Sequence, residues 1–365
     1  MTSRSRIDRQ QSPGPTRTPR VALVLGGGAA RGLAHIGVLE VFEREAIKLD
    51  FIVGTSMGGL VGALSATGRS GSEIAEIARG FHFPRWFLPG VLLDWHSLFA
   101  PAVAALKGTF EQLKTPLAVT AVDLEAAVQV VLHTGPLLPA VQATCTVPGV
   151  LPPVKLGDRW LVDGGLVNVL PVDVAWMGDA DVVVAVKVGG VGERRIPQLN
   201  WRINAVLSRL GGVVPNPATA KVTVEILQRA VEIMLDRQTT LAVAMAGPEL
   251  LIEPELGDMG LRDFNRMEDA VEAGRRAAEA ALPKLMALLE SPSVAPTAGE
   301  RELSLRFDPV CAMVINPTRA RAKVTRKHRT YYFCSRNCRD RFERDPDAYL
   351  GRPRLDLGRR LLKQE

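Results

Sequence analysis

The sequence predicts an α/β sandwich around a mostly parallel sheet, followed by a small cysteine-bearing unit. Three observations carry this. Short runs of branched apolar residues alternate with longer runs of helical periodicity over residues 20–290. The alternation stops at a small, polar, proline-bearing stretch, Ser291–Glu300. Three of the four cysteines, Cys311, Cys334 and Cys338, fall in the short remainder.

In chain order, residues 1–19 are rich in Ser, Pro and Arg and are expected to be a disordered basic tail. Val21–Leu25, Lys48–Gly54, Pro116–Asp123, Val128–Thr134 and Asp181–Val188 have the composition of buried strands. Between and after them, Gly32–Glu45, Met57–Gly68, Glu73–Phe81, Val224–Gln238 and Arg266–Glu290 carry helical periodicity. Residues 291–305 read as a linker, 306–350 as a second unit and 351–365 as a basic tail, with no internal repeat.

The totals bound what this chain can be. Its 365 residues, 47% of them apolar, suffice for one large domain and a small one. No stretch approaches the roughly 20 apolar residues that span a bilayer, and the polar residues before Val21 lack a signal-peptide pattern. A cytoplasmic protein is therefore expected. The net charge of +6 and pI near 9.3 favour an anionic partner, but the arginines gather at the two ends. With no aromatic platform or basic recognition helix, nucleic acid is not expected as that partner. One isolated cysteine, Cys145, and three clustered ones do not form an even disulfide framework, so reduced thiols are the simpler reading.

Val21–Leu25 run directly into Gly26-Gly27-Gly28-Ala29-Ala30-Arg31-Gly32, and a strand followed by glycines and a helix presents N–H groups to negative charge. A dinucleotide fingerprint needs G-x-G-x-x-G, which Gly26, Gly28 and Gly32 miss by one residue because Arg31 occupies the sixth position. No Gly-Lys-Ser/Thr follows, which excludes a P-loop. The next predicted strand ends in Gly54-Thr55-Ser56-Met57-Gly58, a G-x-S-x-G between strand and helix. That context suits a nucleophile elbow, in which Gly54 and Gly58 permit a tight turn that lifts the serine hydroxyl clear of the sheet.

A nucleophilic serine needs a base, and none of the five histidines (His35, His82, His96, His133, His328) stands in the late strand-to-loop context of a triad histidine. His35 reads as a packed helical residue. Asp163 offers an alternative, because it ends the apolar run Trp160-Leu161-Val162 and is followed by Gly164 and Gly165. A partly desolvated carboxylate there can accept the serine proton directly.

Taken in order, GGGAARG, GTSMG and DGG resemble the motifs of patatin-like phospholipases, most closely the bacterial branch akin to neuropathy-target-esterase proteins. Ala143–Pro153 (ATCTVPGVLPP) and Asn168–Val172 (NVLPV) extend the likeness over roughly residues 20–290. The resemblance implies a lipid acyl hydrolase with a Ser–Asp dyad on a three-layer α/β/α fold. It assigns Ser56 as nucleophile and Asp163 as general base, with an oxyanion hole of backbone N–H groups around Gly26, Gly27, Gly28 and Ala29; Arg31 either fixes this loop by hydrogen bonding or meets a lipid phosphate. Phospholipid or lysophospholipid is then the expected substrate, hydrolysed without a cofactor. The alternative is a catalytically idle lipid-binding scaffold whose C-terminal unit carries the activity.

Phe81–Phe99 concentrates aromatic residues. Either it is a core helix pair, or Trp86, Phe87, Leu88, Trp95 and Phe99 around Pro84, Pro89 and Gly90 form an apolar lid that dips into a membrane interface. The second option, with the basic ends, makes peripheral contact with the inner membrane surface the expectation.

The second unit, FDPVCAMVINP followed by RTYYFCSRNCRDRFERDPDAYL, resembles the YHS domain over Phe307–Leu350, departing from it at Ala312, where the family commonly has glycine. Cys334 and Cys338 are four apart on one helical face, and Cys311 reaches them across a hairpin. Three thiolates suit zinc or copper(I), with His328, Met313 or an exogenous group as a fourth ligand. A metal-free fold with buried thiols is the alternative.

Overall fold

A computed structural model describes residues 16–83, 93–178, 180–190, 217–290, 293–294, 306–307, 309–310, 314–315, 320, 322–326, 329–333 and 336–350. The main strands are β2 (Val21–Leu25), β3 (Phe51–Thr55), β4 (Leu117–Asp123), β5 (Val128–Leu132), β6 (Val154–Leu156), β7 (Arg159–Asp163), β8 (Val182–Val186) and β9 (Leu250–Ile252), after a two-residue β1 (Thr16–Arg17). Helices α1 (Ala34–Arg44), α2 (Met57–Ala66), α3 (Gly71–Arg79), α4 (Trp95–Leu98), α5 (Ala100–Ala105), α6 (Leu137–Thr144), α7 (Val172–Met177), α8 (Pro217–Ala246) and α9 (Met267–Glu290) connect or cover them.

One eight-stranded sheet runs in the order β6-β7-β4-β3-β2-β8-β9, with β5 paired to β4. The ladder β4-β3-β2-β8-β9 is parallel throughout, and β5, β6 and β7 supply the antiparallel part. The five strand runs expected from sequence are all present.

Alternation within the strands makes the layers. Val21, Leu23 and Leu25 of β2, with Val182, Val184 and Val186 of β8, join a core that includes buried residues of α1, α2 and α9. Ala22 and Val24, with Val183 and Ala185, join a second core with Val172, Val174 and Ala175 of α7. Successive side chains point to opposite faces, so a strand that is apolar at every position packs on both sides. The result is the helix–sheet–helix arrangement.

At the crossing of α1 and α9, a Cβ built on Gly37 would lie 1.9 Å from the Val271 carbonyl oxygen, and one on Gly274 would lie 1.9 Å from that of Ala34. Only two glycines allow this approach.

Part of the aromatic stretch differs from the lid reading. Trp95 and Phe99 are buried in the first core, and Phe99 packs edge-on against Phe81 and Phe83. Their rings contact one another, so these two serve packing. Pro84, Trp86, Phe87, Leu88, Pro89 and Gly90 lie outside the described residues.

Thr16–Arg17 pairs antiparallel with β10 (Ser293–Val294). In the C-terminal unit, β11 (Arg306–Phe307) pairs with β12 (Val314–Ile315), and β13 (Ala322–Arg326) forms a hairpin with β14 (Arg329–Phe333). Helices α10 (Arg336–Arg344) and α11 (Pro346–Leu350) follow. Phe333, Cys338 and Phe342 form its small buried core.

Candidate active site

Strand register brings the candidate groups together. Thr120 of β4 pairs with Thr55 on one edge and Val131 on the other, while Ala121 pairs with Asp163 and Val130. Because β5 holds one edge along both positions, β3 and β7 share the other. They meet it end to end, since β3 runs parallel to β4 and β7 antiparallel. The C-terminal tips of the two strands therefore abut, with Ser56 just past one and Asp163 closing the other.

Ser56 sits at φ 55° and ψ −127° between β3 and α2. A non-glycine residue held there is strained, as an elbow that projects its side chain requires. Several contacts hold the turn. The Ser56 N–H donates to Thr144 Oγ1 at 2.8 Å, and the Cys145 thiol donates to the Ser56 carbonyl at 3.2 Å. A Cβ on Gly58 would fall 2.2 Å from the Leu25 carbonyl oxygen, so the helix packs this closely on β2 only with glycine there. Gly54 stands likewise against Gly59, its would-be Cβ 2.6 Å from that backbone nitrogen.

Asp163 is 5% exposed. Burial pushes its carboxyl up to about 6, and hydrogen bonds from the Ser56 hydroxyl and the Gly165 N–H partly offset this. The Gly165 N–H donates to Oδ1 at 2.7 Å. Gly164 lies against Thr120, whose Oγ1 would be 2.3 Å from an added Cβ. Beneath both tips, Thr55 Oγ1 is 2.6 Å from Thr120 Oγ1 and donates to the Asn168 carbonyl at 3.0 Å. Burial, then the charge of Asp163, pushes the Cys145 thiol up, which keeps it a neutral donor.

The glycine loop follows β2 and leads through a 3-10 turn, Ala29–Leu33, into α1. Its amides divide into two groups. Gly26 N–H donates to Val186 O at 3.2 Å, Gly27 to Val169 O at 2.9 Å, Ala30 to Leu261 O at 3.1 Å and Arg31 to Gly28 O at 3.0 Å. The amides of Gly28 and Ala29 carry no such backbone bond, and Ala29 is held at φ 46°. The Cβ position of Gly27 lies 3.3 Å from Ser56 Cβ, which sets the loop beside the serine.

Two side chains clamp this loop. His35 is fully buried, with Nε2 2.7 Å from the Gly26 carbonyl oxygen, so that nitrogen carries the proton and donates. Burial lowers its pKa to about 4, leaving a neutral ring. Arg31 donates from Nε to the Met259 carbonyl at 2.7 Å and pairs through Nη2 with Glu232 of α8 at 3.3 Å. Glu232 also pairs with Arg229 at 3.2 Å.

The structure brings together Ser56, Asp163, the flanking glycines and Arg31 that sequence reasoning named, and adds Thr144 and Glu232, which it did not name. Thr144 lay within Ala143–Pro153 without any local mark of its contact with Ser56. Glu232 falls in an ordinary helical run, and only the fold brings it to Arg31. Of the three thiols considered as metal ligands, Cys338 is buried beside Phe333 and Phe342, while Cys311 and Cys334 lie outside the described residues. Among the described residues, no group of three or more His, Cys, Asp and Glu could hold a metal.

A serine on a strained strand-to-helix turn, with a buried carboxylate at the abutting strand tip and a glycine loop beside it, defines an α/β protein of the elbow-turn class. The patatin-like phospholipase family model matches residues 23–88 and 100–176, and the YHS domain model matches 307–353. An uncharacterized NTE family protein of Mycobacterium tuberculosis is 35% identical over 181 residues, covering 47% of this chain and 50% of the relative. Patatin-like phospholipase domain-containing protein 6 of Mus musculus is 30% identical over 277 residues, covering 70% of this chain and 20% of that protein. Among solved structures, VipD from Legionella pneumophila aligns with a TM-score of 0.43 at 12% identity, over 74% of this chain and 68% of that one. The chain thus carries a patatin-like phospholipase domain of the NTE-like branch together with a YHS domain. It spans about half the length of the curated NTE family relatives it matches, 50% of one and 46% of another.

Proposed function

We propose that the large domain is a serine lipid acyl hydrolase of the phospholipase A or lysophospholipase type, with Ser56 as nucleophile and Asp163 as general base. The observation that carries this is a strained elbow serine set beside a carboxylate whose burial raises its basicity, the two standing at abutting strand tips. An isolated serine hydroxyl is a weak nucleophile and needs such a proton acceptor.

In this reading Ser56 Oγ attacks the ester carbonyl as its proton passes to Asp163. The tetrahedral oxyanion accepts hydrogen bonds from the N–H groups of Gly28 and Ala29. Gly26 and Gly27, whose amides already bind carbonyls, shape the loop. Preorganised donors of this kind are worth about 3 kcal/mol each. The alcohol leaves with the proton held on Asp163. Water then attacks the acyl-enzyme, again with Asp163 as base, and releases fatty acid and the free serine. Arg31 and His35 hold the loop, while Gly164 and Gly165 let the carboxylate approach Ser56. No cofactor enters these steps.

The substrate is a phospholipid or lysophospholipid reached from a membrane surface, and the enzyme works in the cytoplasm in peripheral contact with the inner membrane. No described helix is long and apolar enough to cross a membrane. The YHS unit would hold zinc or copper(I) on Cys311, Cys334 and Cys338.

The test is release of fatty acid from a panel of phospholipids, lysophospholipids and simple acyl esters. Wild type is expected to turn over, and Ser56→Ala and Asp163→Asn to fall to background. A wild-type chain that binds lipid without hydrolysing any of the panel would replace the hydrolase with a lipid-binding scaffold.

A further inference from the structure

Helix α8 carries a stripe of apolar residues outward. Among its described side chains Ile226, Ile233, Met234, Leu241 and Met245 are exposed, from 37% for Ile226 to 59% for Leu241. At about 100° per residue these five positions fall within an arc of roughly 120°. The inner face mixes polar groups with apolar ones: Glu232 is 4% exposed and Thr239 2%, while Val243 and Ala246 pack against the second core. A surface helix ordinarily turns its apolar stripe inward. From the inner face Glu232 reaches Arg31 of the glycine loop, and Gln238, at the edge of the exposed arc, donates from Nε2 to the Leu166 carbonyl at 3.1 Å, just beyond Asp163-Gly164-Gly165.

The outward stripe continues onto that loop, where Leu166 and Val167 are 42% and 50% exposed. Both sides of the candidate site are thus tied to one helix whose far side is apolar. We propose that the outer face of α8, with Leu166 and Val167, is the surface by which this protein docks on an anionic lipid bilayer. The helix would lie along the interface, an assignment that rests on the acyl hydrolase reading above.

Charge selects a bilayer as the occupant over a second copy of the chain. Among the described residues of 226–246 the other exposed positions are Ala230, Arg237, Thr240 and Ala244, so these positions present one cation and no acid. The sequence running into the helix, residues 194–216, contains Arg194, Arg195, Arg202 and Arg209 and neither Asp nor Glu. Apolar residues flanked by positive charge suit an anionic interface, whereas two copies would set like charges against each other.

The experiment uses the full-length Ser56→Ala protein, so that binding is read apart from turnover. Co-sedimentation is measured with vesicles of equimolar phosphatidylcholine and phosphatidylglycerol, and with phosphatidylcholine alone. Binding is expected to favour the anionic vesicles and to fall about tenfold or more when Met234→Glu and Leu241→Glu are combined. Unchanged binding of the double variant, or absence of binding by the parent, overturns the proposal. Hydrogen exchange on the unsubstituted chain provides a second reading: vesicles should protect 226–246, and protection confined to other regions overturns it. A dimer in solution that the double variant dissociates also overturns it, by making the stripe a contact between copies. Binding without fatty acid release from the wild type would sink the hydrolase and leave the docking face standing. Release from a monomeric ester without vesicle binding would do the opposite.

Discussion

As the proposed base Asp163 faces opposed demands, because the burial that raises its basicity also makes its charge costly. Its carboxyl is raised from 3.8 to about 6, and at roughly 1.4 kcal/mol per unit the ionised form costs the fold on the order of 3 kcal/mol. The sign follows from proton counting. Between the two pKa values the folded state holds the proton and the unfolded chain does not, so stability declines as pH rises through that window. The cost is absent below about 3.8 and complete above about 6. We expect kcat/KM to fall as pH drops through about 6, where the base becomes protonated. Asp163→Asn should abolish hydrolysis while melting at a higher temperature than wild type, by a margin that widens from about pH 4 to about pH 7. A constant margin in thermal melts would show that Asp163 titrates alike in both states. The aspartate itself was legible as a carboxylate between an apolar run and two glycines. Its shifted basicity was not, because desolvation depends on what surrounds the strand tip.

Among the elements, the contact between α1 and α9 is the least tolerant of added bulk. Glycine inside a helix ordinarily weakens it by about 0.5–1 kcal/mol relative to alanine, so by propensity alone Gly37→Ala and Gly274→Ala would stabilise. The crossing reverses that expectation, since each new Cβ would meet a backbone carbonyl at 1.9 Å. Each substitution should lower stability by about 2 kcal/mol or more, read as a reduced urea midpoint. An unchanged midpoint would mean that the two helices separate at little cost. Helical periodicity revealed both elements in the sequence but not the crossing, which depends on residues far apart in the chain. The same distinction applies to α8. Its apolar positions identify a helix, and the ordinary rule would have turned them inward. The pairing of Glu232 with Arg31 and the contact of Gln238 with Leu166 accompany the opposite orientation.

For the whole molecule, joining a patatin-like domain to a YHS domain separates two chemistries. On the proposed function, hydrolysis rests on Ser56 and Asp163 without a metal, and the thiols of the second unit hold a soft ion. The purified full-length chain is expected to carry about one zinc or copper per molecule, with loss of that content in Cys338→Ser. Fatty acid release should persist after chelation. Elemental analysis beside the lipid assay checks both halves, and hydrolysis lost with the ion would couple the two units. The sequence by itself determined the alternation of strands and helices, the glycine loop, the elbow and the position of the aspartate. These features are local: glycine supplies close backbone approach, and strand and helix periods are written in neighbouring residues. Only the tertiary structure decided that β3 and β7 meet end to end on β4, that Gly28 and Ala29 keep uncommitted amides, and that α8 turns its apolar side outward. Each of those outcomes depends on pairings between distant segments, where the burial and hydrogen bonding of the entire assembly select among arrangements that local pattern leaves equally open.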